Sequence, residues 1–289
     1  MVRLNLTPGF APFGAGLPVK VFTFPSGMEP HIKIGKLDDT LHEIGQMEFL
    51  ITVRITTASD IVLLLLANDA LRRMGAKRIN VFIPFLPFAR QDRVMVPGEP
   101  FSLKVLTNML NGCNFESIHL YDAHSDVSTA LLDNATSYNN GSFIDSVIGE
   151  KTKYVIVTPD AGAQKKIYKV LDDVRNKPED VICASKSRNL ATGELGPITL
   201  PKYDFSGKRV LVVDDICDGG ATFLPIGEAI VNAGGTPKLA VTHGIFSKGV
   251  DALNEFYETI HCTDSIRNHT EGVHTHNIHN LGGRWPISI

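Results

Sequence analysis

Several features that would assign this chain to a specialised class are missing from its sequence. The four cysteines, at 113, 183, 217 and 262, lie far apart and form no Cys-x-x-Cys pair, which argues against a disulfide framework and favours reduced thiols in the cytoplasm. The longest apolar run, 61–67, is far short of the roughly 20 residues that span a bilayer. The N-terminus shows no charged-then-apolar signal pattern. We therefore expect a cytoplasmic protein without a membrane partner.

A strong excess of charge of either sign is also missing. The 289 residues carry 28 Lys and Arg against 31 Asp and Glu, a formal net charge of −3, so electrostatics gives no reason to expect nucleic acid as a partner. No low-complexity linker or residue-level repeat is visible. With 43% hydrophobic and 20% charged residues, the chain is globular and long enough for one large or two modest domains.

What the sequence does contain is an alternation of short apolar segments with amphipathic ones, which is typical of parallel sheets flanked by helices. The polar stretch 137–142 is the best boundary signal and predicts two α/β domains, 1–138 and 139–289, each with a mainly parallel sheet flanked by helices. The helix over 59–74 is expected to have Ser59 as its N-cap and Gly75 after its last turn. The predicted strands are 19–24, 31–34, 49–55, 78–83, 117–121, 154–158, 181–184, 209–213, 238–244 and 259–262, and the predicted helices are 59–74, 102–111, 162–171, 223–233 and 249–256.

The most informative stretch is 210–223, where an apolar strand ends in two carboxylates and a glycine-containing turn leads into a helix. Backbone N–H groups at such a helix N-terminus favour an anion such as phosphate, and the glycines permit positive φ and close approach of the ligand. Paired carboxylates would repel a phosphate but suit sugar hydroxyls or a metal. An ordinary strand–turn–helix is the alternative, but the complete string favours a ribose-phosphate site made of Asp214, Asp215, Asp218, Gly219, Gly220, Ala221 and Thr222.

Polar motifs also follow other predicted strands, at the edge where parallel sheets bind ligands. The segment Phe-Leu-Pro-Phe-Ala-Arg-Gln-Asp-Arg over 85–93 offers Arg90 and Arg93 to phosphate groups, although a solvated basic turn is the alternative. In Asp122-Ala-His124, the imidazole could bind a metal directly or through its water, or serve as a structural strand-end histidine.

Two further motifs belong to the second half of the chain. Asp160 lies in Thr-Pro-Asp-Ala-Gly, which is either a metal-supporting segment or a simple turn. Lys186 and Arg188 alternate, so an extended backbone would direct both to one face, where two cations suit a polyphosphate. A solvated basic pair is the alternative.

In their order along the chain, these motifs resemble those of the ribose-phosphate diphosphokinases, or phosphoribosyl-diphosphate (PRPP) synthetases, of the type I phosphoribosyltransferase superfamily. Ala-Arg-Gln-Asp-Arg over 89–93 resembles the family's ATP-binding signature, and the loop after Asp214 and Asp215 resembles its PRPP loop. Phe-Pro-Ser-Gly-Met-Glu over 24–29 is similar to a segment that reaches the adenine in a neighbouring subunit's site. The resemblance extends from about Val21 to Ile266.

The resemblance implies two similar phosphoribosyltransferase-like domains and a transferase (a kinase of nucleotide biosynthesis) that uses Mg²⁺. Its substrates would be ATP and ribose 5-phosphate, and its products AMP and PRPP. A site shared between subunits implies a homo-oligomer, at least a dimer, with a hexamer as the larger alternative. The implied residues are Phe24, Gly27, Glu29, Arg90, Gln91, Asp92 and His124 for ATP; Arg188 and the loop residues given above for ribose 5-phosphate; His124, Asp160, Asp122, Asp214 and Asp215 for the metal; and Lys186, Arg188 and His124 for catalysis.

The sequence departs from the family pattern in places. The Pro/Gly-rich segment 1–18 lacks the usual opening strand and helix, and no final helix precedes Ile289. Asp-Gly-Gly-Ala-Thr replaces the more usual Asp-Thr-Gly-Gly-Thr, which removes one hydroxyl from the phosphate loop. The histidines between His261 and His279 invite a metal interpretation, but their mixed spacing favours solvated or strand-face roles.

Two other functions compete with PRPP synthesis. A phosphoribosyltransferase that consumes PRPP would use the same ribose-phosphate loop, but it has no need of an ATP site. A non-catalytic regulatory homologue could lose Lys186, Arg188 or His124, and all three are present. Release of AMP that depends on ATP and ribose 5-phosphate separates the synthetase from both.

Overall fold

Strands and helices alternate along the chain in two separate α/β units, Met1–Tyr138 (the N-terminal unit) and Asn139–Gly282 (the C-terminal unit). The computed structural model describes residues 1–25, 27, 30–35, 41–149, 153–188 and 195–281, and only the backbone of 41–43, 186–188 and 195–197. None of the helices within these ranges is long and apolar enough to cross a membrane.

The N-terminal unit consists of β1 Val2–Asn5, β2 Val19–Thr23, β3 Pro30–Ile34, β4 Glu48–Thr52, α1 Ala58–Arg73, β5 Arg78–Ile83, α2 Ser102–Asn111, β6 Ser117–Tyr121, α3 Asp126–Leu131 and β7 Ala135–Tyr138. Five of the strands form a parallel sheet in the order β1-β4-β5-β6-β7, while β2 and β3 form a separate antiparallel hairpin. A 3₁₀ segment, Leu41–Gln46, precedes β4.

The central strands of this sheet form because their apolar residues are covered on both faces. In β5, every residue after Arg78 is buried, which is expected of a strand in the middle of a parallel sheet with helices on either side. Helix α1 covers the sheet with Leu64, Ala67 and Leu71, which are fully buried in the core. The sheet thereby places the carboxyl ends of β4, β5 and β6 along one edge.

The C-terminal unit consists of α4 Gly141–Ile148, β8 Val155–Thr158, α5 Ala161–Val170, β9 Val181–Cys183, β10 Ser185–Arg188, β11 Leu195–Thr199, β12 Arg209–Cys217, α6 Phe223–Asn232, β13 Thr236–Gly244, α7 Asp251–Asn254, β14 Ile260–Thr263 and β15 His274–His276. Six of the strands form a parallel sheet in the order β15-β14-β13-β12-β8-β9, and β10 and β11 form an antiparallel pair. The long central strands carry the apolar runs that the sequence predicts.

The predicted fold class is confirmed, since both units have mainly parallel sheets flanked by helices. The expectation that 1–18 lacks an opening strand is wrong, because β1 pairs with β4 in parallel. The N-cap of α1 is Thr57 and not Ser59: Thr57 and Asp60 form a capping box in which each side chain accepts the other's backbone N–H. The prediction that no final helix precedes Ile289 falls on residues that the structure does not describe.

Candidate functional site

The loop after β5 begins the candidate site of the N-terminal unit. Tyr121 at the end of β6 donates its N–H to the Pro84 carbonyl (3.2 Å), which ties the loop to the neighbouring strand. Phe88 has a left-handed φ of 61°, and the Gln91 N–H donates to its carbonyl at 2.8 Å. This tight turn leaves Arg90 and Gln91 exposed at the carboxyl edge of the sheet, as a nucleotide-binding role would require.

Asp92 is the buried acid of this loop and links it to the next one. Its carboxylate accepts two hydrogen bonds from Arg93, Nε–Oδ1 at 2.8 Å and Nη2–Oδ2 at 3.2 Å. The hydrogen bond from Arg93 is the main reason that the pKa of Asp92 is lowered despite its burial, and the nearby Ser125 and His124 act in the same direction. Asp92, Arg93, His124 and Ser125 therefore lie together at one edge, and Asp92 orients the guanidinium of Arg93.

The segment after β6 has an unusual backbone. Asp122 is buried and adopts φ of 46°, a left-handed conformation that Asp tolerates better than most residues. Its N–H donates to the Tyr138 carbonyl at 2.7 Å, and the Ala123 N–H donates to Ser137 Oγ at 2.9 Å. These bonds to β7 hold the turn that presents half-buried His124. Such a conformation is expected where the surrounding structure fixes a functional residue.

The hairpin of β2 and β3 carries the candidate adenine-binding residues. Phe24 is 44% exposed and packs against Phe22 and His31, with ring centroids 5.2 and 6.1 Å away. Gly27 has φ of 75° and donates its N–H to the Phe24 carbonyl at 2.8 Å, which closes the turn. Glu29 lies outside the described residues.

In the C-terminal unit, Asp160 has a definite structural role. It is the N-cap of α5, and its Oδ1 accepts the Ala163 N–H at 3.0 Å. The residue nevertheless stays exposed, and its role in supporting a metal stays a prediction. Its negative charge also contributes to raising the pKa of Asp214, which shows that the two carboxylates are near each other.

The paired carboxylates lie within β12, which is four residues longer than the sequence predicts. Asp214 is aligned with Val241 of β13, whereas the ladder with β8 stops at Val212, so Asp214 and Asp215 lie beyond the part of β12 that pairs with β8. Desolvation, and after it the negative charge of Asp215, raise the pKa of Asp214. This edge concentrates negative charge in a place that favours a cation or hydroxyl donors.

Lys166 of α5 provides a cation at this acidic pair. Its Nζ lies 2.8 Å from Oδ2 of Asp215, whose side chain is only 6% exposed. Lys166 lies on the same face of α5 as the buried residues Ala163, Ile167 and Val170. Its ammonium group contacts Asp215 of β12. The ion pair with Lys166 makes the two carboxylates different. Asp215 accepts a hydrogen bond from the ammonium group, whereas Asp214 is repelled by the negative charge of Asp215.

The turn between β12 and α6 contains the residues of the predicted phosphate loop. Gly220 adopts φ of 81°, whereas Gly219 does not need positive φ. The Phe223 and Leu224 N–H groups donate to the Gly220 carbonyl at 2.8 and 3.1 Å, and Thr222 is the N-cap position of α6 with no side-chain cap bond. Asp218 is held from outside the loop by Ser247, whose Oγ donates to its Oδ1 at 2.6 Å. Ala221 is exposed beside them.

Lys186 and Arg188 lie in β10, opposite Ile198 and Leu195 of β11. The ladder shifts register between the two residues. Their side chains are outside the described part of the chain, so their proposed contacts with polyphosphate stay a prediction.

Comparison with known proteins finds similarity to ribose-phosphate pyrophosphokinases. Residues 44–113 match the family model described as the N-terminal domain of ribose phosphate pyrophosphokinase. The chain is 26% identical over 270 residues to the ribose-phosphate pyrophosphokinase of Pyrococcus furiosus, a match that covers 86% of each chain. It is 29% identical over 218 residues to that of Corynebacterium efficiens, covering 72% of this chain and 66% of the relative. The resemblance to ribose-phosphate pyrophosphokinases, the same class as the diphosphokinases named above, is confirmed.

The solved structures support the fold independently. The crystal structure of phosphoribosylpyrophosphate synthetase from Mycobacterium smegmatis superimposes with a TM-score of 0.76 over 92% of this chain and 88% of that one. At 22% identity this likeness establishes the shared fold alone. The ribose-phosphate pyrophosphokinases to which the chain is similar are transferases.

The resemblance to the pyrophosphokinases implies Mg²⁺, and the acidic edge of the C-terminal unit fits it. Desolvation and the negative charges of Asp215 and Asp160 disfavour the ionised form of Asp214. A bound cation would offset this repulsion. Within the described ranges, no three or more His, Cys, Asp or Glu side chains are grouped as a metal site. Because Mg²⁺ is usually held by one or two carboxylates together with substrate phosphates, a pyrophosphokinase needs no such group.

Two other candidate features have structural explanations. His261 Nδ1 lies 3.1 Å from His276 Nε2, and His261 stacks on His274 across the β14–β15 ladder, so these histidines pack on a strand face. Cys217 is fully buried, and burial raises the pKa of its thiol to about 12, so it is a packing residue and not a nucleophile.

Sequence reasoning missed Lys166, Ser125, Ser247 and Lys248 at these sites. For Lys166 a signal existed, since a lysine interrupts an otherwise apolar helical stripe and such a cation usually has a buried partner. The other three are polar residues in turns, and only the fold shows that they lie beside Asp92 or the phosphate loop.

Replacing Lys166 with methionine is expected to destabilise the C-terminal unit by about 1–2 kcal/mol, because it leaves the Asp215 carboxylate buried without its ammonium partner. Asp215→Asn in the same chain should recover most of this loss. Urea unfolding of both single variants and the double variant, followed by hydrogen exchange of β12, measures the coupling. Lys165→Met, at the exposed neighbouring position, should leave the midpoint unchanged. Strictly additive effects would show that the pair is not coupled.

Proposed function

We propose that the chain is a ribose-phosphate diphosphokinase, which transfers the β,γ-diphosphoryl group of ATP to the 1-hydroxyl of ribose 5-phosphate. The hydroxyl oxygen forms a bond to the β-phosphorus, the bond between that phosphorus and the α,β-bridging oxygen breaks, and AMP leaves. The hydroxyl proton is lost to solvent or to a neighbouring base. The products are AMP and PRPP. Such a transfer depends mainly on positioning and charge stabilisation, and it requires no covalent enzyme intermediate.

The observation that carries this proposal is the second polar site, on the N-terminal unit. A transferase that consumes PRPP needs the ribose-phosphate loop of the C-terminal unit but no ATP site. The N-terminal unit nevertheless builds an edge from Asp92, Arg93, His124 and Ser125 at the carboxyl ends of β5 and β6. A site of this kind is expected of an enzyme that binds ATP as well as the sugar phosphate.

In this proposal, the C-terminal unit holds the ribose phosphate. The loop 218–222 binds the 5-phosphate through backbone N–H groups and the Thr222 hydroxyl, which makes no side-chain cap bond. Asp214 and Asp215 accept hydrogen bonds from the 2- and 3-hydroxyls, and Lys166 fixes the orientation of Asp215. Arg188 contributes to the same substrate.

The N-terminal unit holds ATP. Arg90 and Gln91 contact the nucleotide, and Asp92 presents Arg93 to the phosphates. Phe24, Gly27 and Glu29 contribute to an adenine site shared with a neighbouring subunit, so the active form is a homo-oligomer. Lys186 and Arg188 stabilise the charge that develops on the transferred group and on departing AMP. Mg²⁺ would neutralise phosphate charge. Its candidate ligands are Asp160, Asp214 and Asp215 in the C-terminal unit and, separately, His124 and Asp122 in the N-terminal unit.

Incubation of the purified protein with ATP, Mg²⁺ and ribose 5-phosphate is expected to give AMP and PRPP in equal amounts, which chromatography measures. Omission of ribose 5-phosphate should abolish AMP release, which separates synthesis from simple hydrolysis. A folded protein that binds ATP but releases no AMP would contradict the proposal and favour a non-catalytic regulatory homologue. Consumption of added PRPP with a nucleobase would instead favour the phosphoribosyltransferase.

A further inference from the structure

The segment after β13 is fastened to the phosphate loop. The N–H groups of Ile245 and Phe246 both donate to the Cys217 carbonyl, at 2.9 and 3.2 Å. Ser247 donates its N–H to the Asp218 carbonyl at 3.1 Å and its hydroxyl to the Asp218 carboxylate at 2.6 Å. Four hydrogen bonds therefore fix the backbone around Lys248 relative to the loop, and the position of this lysine is a property of the fold.

The side chain of Lys248 runs across Gly219. A Cβ atom added at Gly219 would lie 3.4 Å from Cδ, 3.5 Å from Cε and 3.7 Å from Cγ of Lys248. The aliphatic stem thus occupies the space beside the glycine, and the ammonium nitrogen is one bond beyond Cε. A lysine in this position places a cation at the mouth of the turn that precedes α6.

The ordinary role of an exposed lysine is a solvated charge, and two observations argue against it here. The stem lies on the loop instead of extending away from it. In the described part of the chain, Lys248 makes no hydrogen bond or ion pair, whereas Lys166 beside the same strand is committed to Asp215. A cation fixed next to an anion-binding turn and not engaged with a carboxylate is free to meet a ligand.

The local charge explains why such a cation is needed. Asp214, Asp215 and Asp218 bring negative charge to the region that must accept a phosphate dianion. The helix N-terminus offers only partial positive charge, and Thr222 supplies the single hydroxyl between Asp218 and Phe223. A lysine ammonium is an effective point charge for phosphate.

We propose that Lys248 is a phosphate-binding residue of the ribose 5-phosphate site, where its ammonium group contacts the 5-phosphate from the β13–α7 segment. This assignment rests on the proposed function only for the identity of the sugar. It predicts a role in binding the substrate and not in the transfer step, because the 5-phosphate is remote from the hydroxyl that reacts.

Calorimetric titration of ribose 5-phosphate, without ATP, is expected to show binding weakened about 10-fold or more in Lys248→Met, which keeps the stem and removes the charge. Lys248→Arg should bind close to the wild-type affinity. Lys165→Met, an exposed lysine of α5, is the matched control for loss of one surface charge and should also bind normally. Raised salt should narrow the difference between wild type and Lys248→Met. In turnover, KM for ribose 5-phosphate should rise in Lys248→Met while kcat and KM for ATP change little.

The outcomes separate this inference from the proposed function. Equal affinity of wild type and Lys248→Met would overturn the assignment of Lys248, even if the wild type makes PRPP. A wild type that binds ribose 5-phosphate through Lys248 but releases no AMP would uphold Lys248 and contradict the proposed reaction. A wild type that binds no ribose 5-phosphate would overturn both.

Discussion

Lys186→Ala is expected to lower kcat by about 10²- to 10³-fold, the usual cost of removing one electrostatic donor from a transition state. The transferred diphosphoryl group and departing AMP gain negative charge together, and Lys186 and Arg188 lie two positions apart in β10, the strand after β9. KM for ribose 5-phosphate should change much less, since the site proposed for the substrate's own phosphate is the loop after β12. Initial rates of AMP release at saturating ATP and ribose 5-phosphate measure both quantities.

Lys202→Ala provides the control for this substitution, because Lys202 is an exposed lysine between β11 and β12. Its kcat should equal that of the wild type. A double variant that lacks both Lys186 and Arg188 tests whether the two cations act on the same charge, in which case its loss is smaller than the product of the single losses. A kcat within a few-fold of wild type for Lys186→Ala would remove this residue from the catalytic assignment.

The parallel sheets could be predicted because their strands are short apolar runs with clear ends. The bounds predicted for β5 and β6, 78–83 and 117–121, are those observed. In both strands, burial on both faces produces a continuous apolar signal that needs no knowledge of the neighbours. Helix α2 is predicted equally well, since its apolar residues recur at helical spacing from Leu103 to Leu110.

Elements stabilised by distant partners could not be predicted in the same way. Strand β1 has four residues in a Pro/Gly-rich setting, and its stability comes from pairing with β4, more than 40 residues away. The extension of β12 through Asp214 and Asp215 has the same cause, because β13 continues to pair with it as far as Gly244. Aspartate has a low propensity for strands, so the local sequence predicts that β12 ends before Asp214. Pairing with β13 overrides this low propensity.

In the candidate site too, local features could be predicted from the sequence, whereas contacts between distant residues could not. Motif residues such as Asp160 and Gly220 were identified from local patterns, because a helix cap and a left-handed turn are properties of a few consecutive residues. The contacts of Lys166 with Asp215 and of Ser247 with Asp218 join residues 49 and 29 positions apart. No local pattern records such pairs, although they decide which carboxylate has a cation partner and where the phosphate loop is fastened.

Gly244→Ala is expected to destabilise the C-terminal unit by about 2–3 kcal/mol, because the added methyl group has no space. Gly244 ends β13, and a Cβ there would overlap Cε2 of Phe246 and lie 3.0 Å from Cβ of Cys262. Phe246 is buried, has φ of 47° and packs edge-on against His269, with ring centroids 5.1 Å apart. The ring is confined by its burial and by its packing against His269, and the backbone is held by the hydrogen bonds of the Phe246 N–H and the Gly244 carbonyl.

Hydrogen exchange resolved to peptides measures this effect best, because the two units can open separately. Amides of β12, β13 and β14 should lose protection in Gly244→Ala, while β4 and β5 in the N-terminal unit serve as the internal reference. Gly112→Ala is the matched control, since its added Cβ would meet nothing closer than the Met109 carbonyl oxygen at 3.4 Å. Unchanged protection of β13 would show that the site accommodates the methyl group.

A second substitution identifies the physical cause. If overlap with the Phe246 ring dominates, Phe246→Leu in the Gly244→Ala chain should restore part of the protection, although the same change alone costs stability by leaving a cavity. If contact with Cys262 dominates instead, the double variant should lose more stability than Gly244→Ala alone, because the cost of Phe246→Leu is added to it. The distinction matters for binding, because Phe246 is followed by Ser247 and Lys248, which hold the phosphate loop and reach across Gly219. Displacement of Phe246 should therefore also weaken binding of ribose 5-phosphate, whereas a loss of stability confined to β13 and β14 would leave the affinity of the folded fraction unchanged.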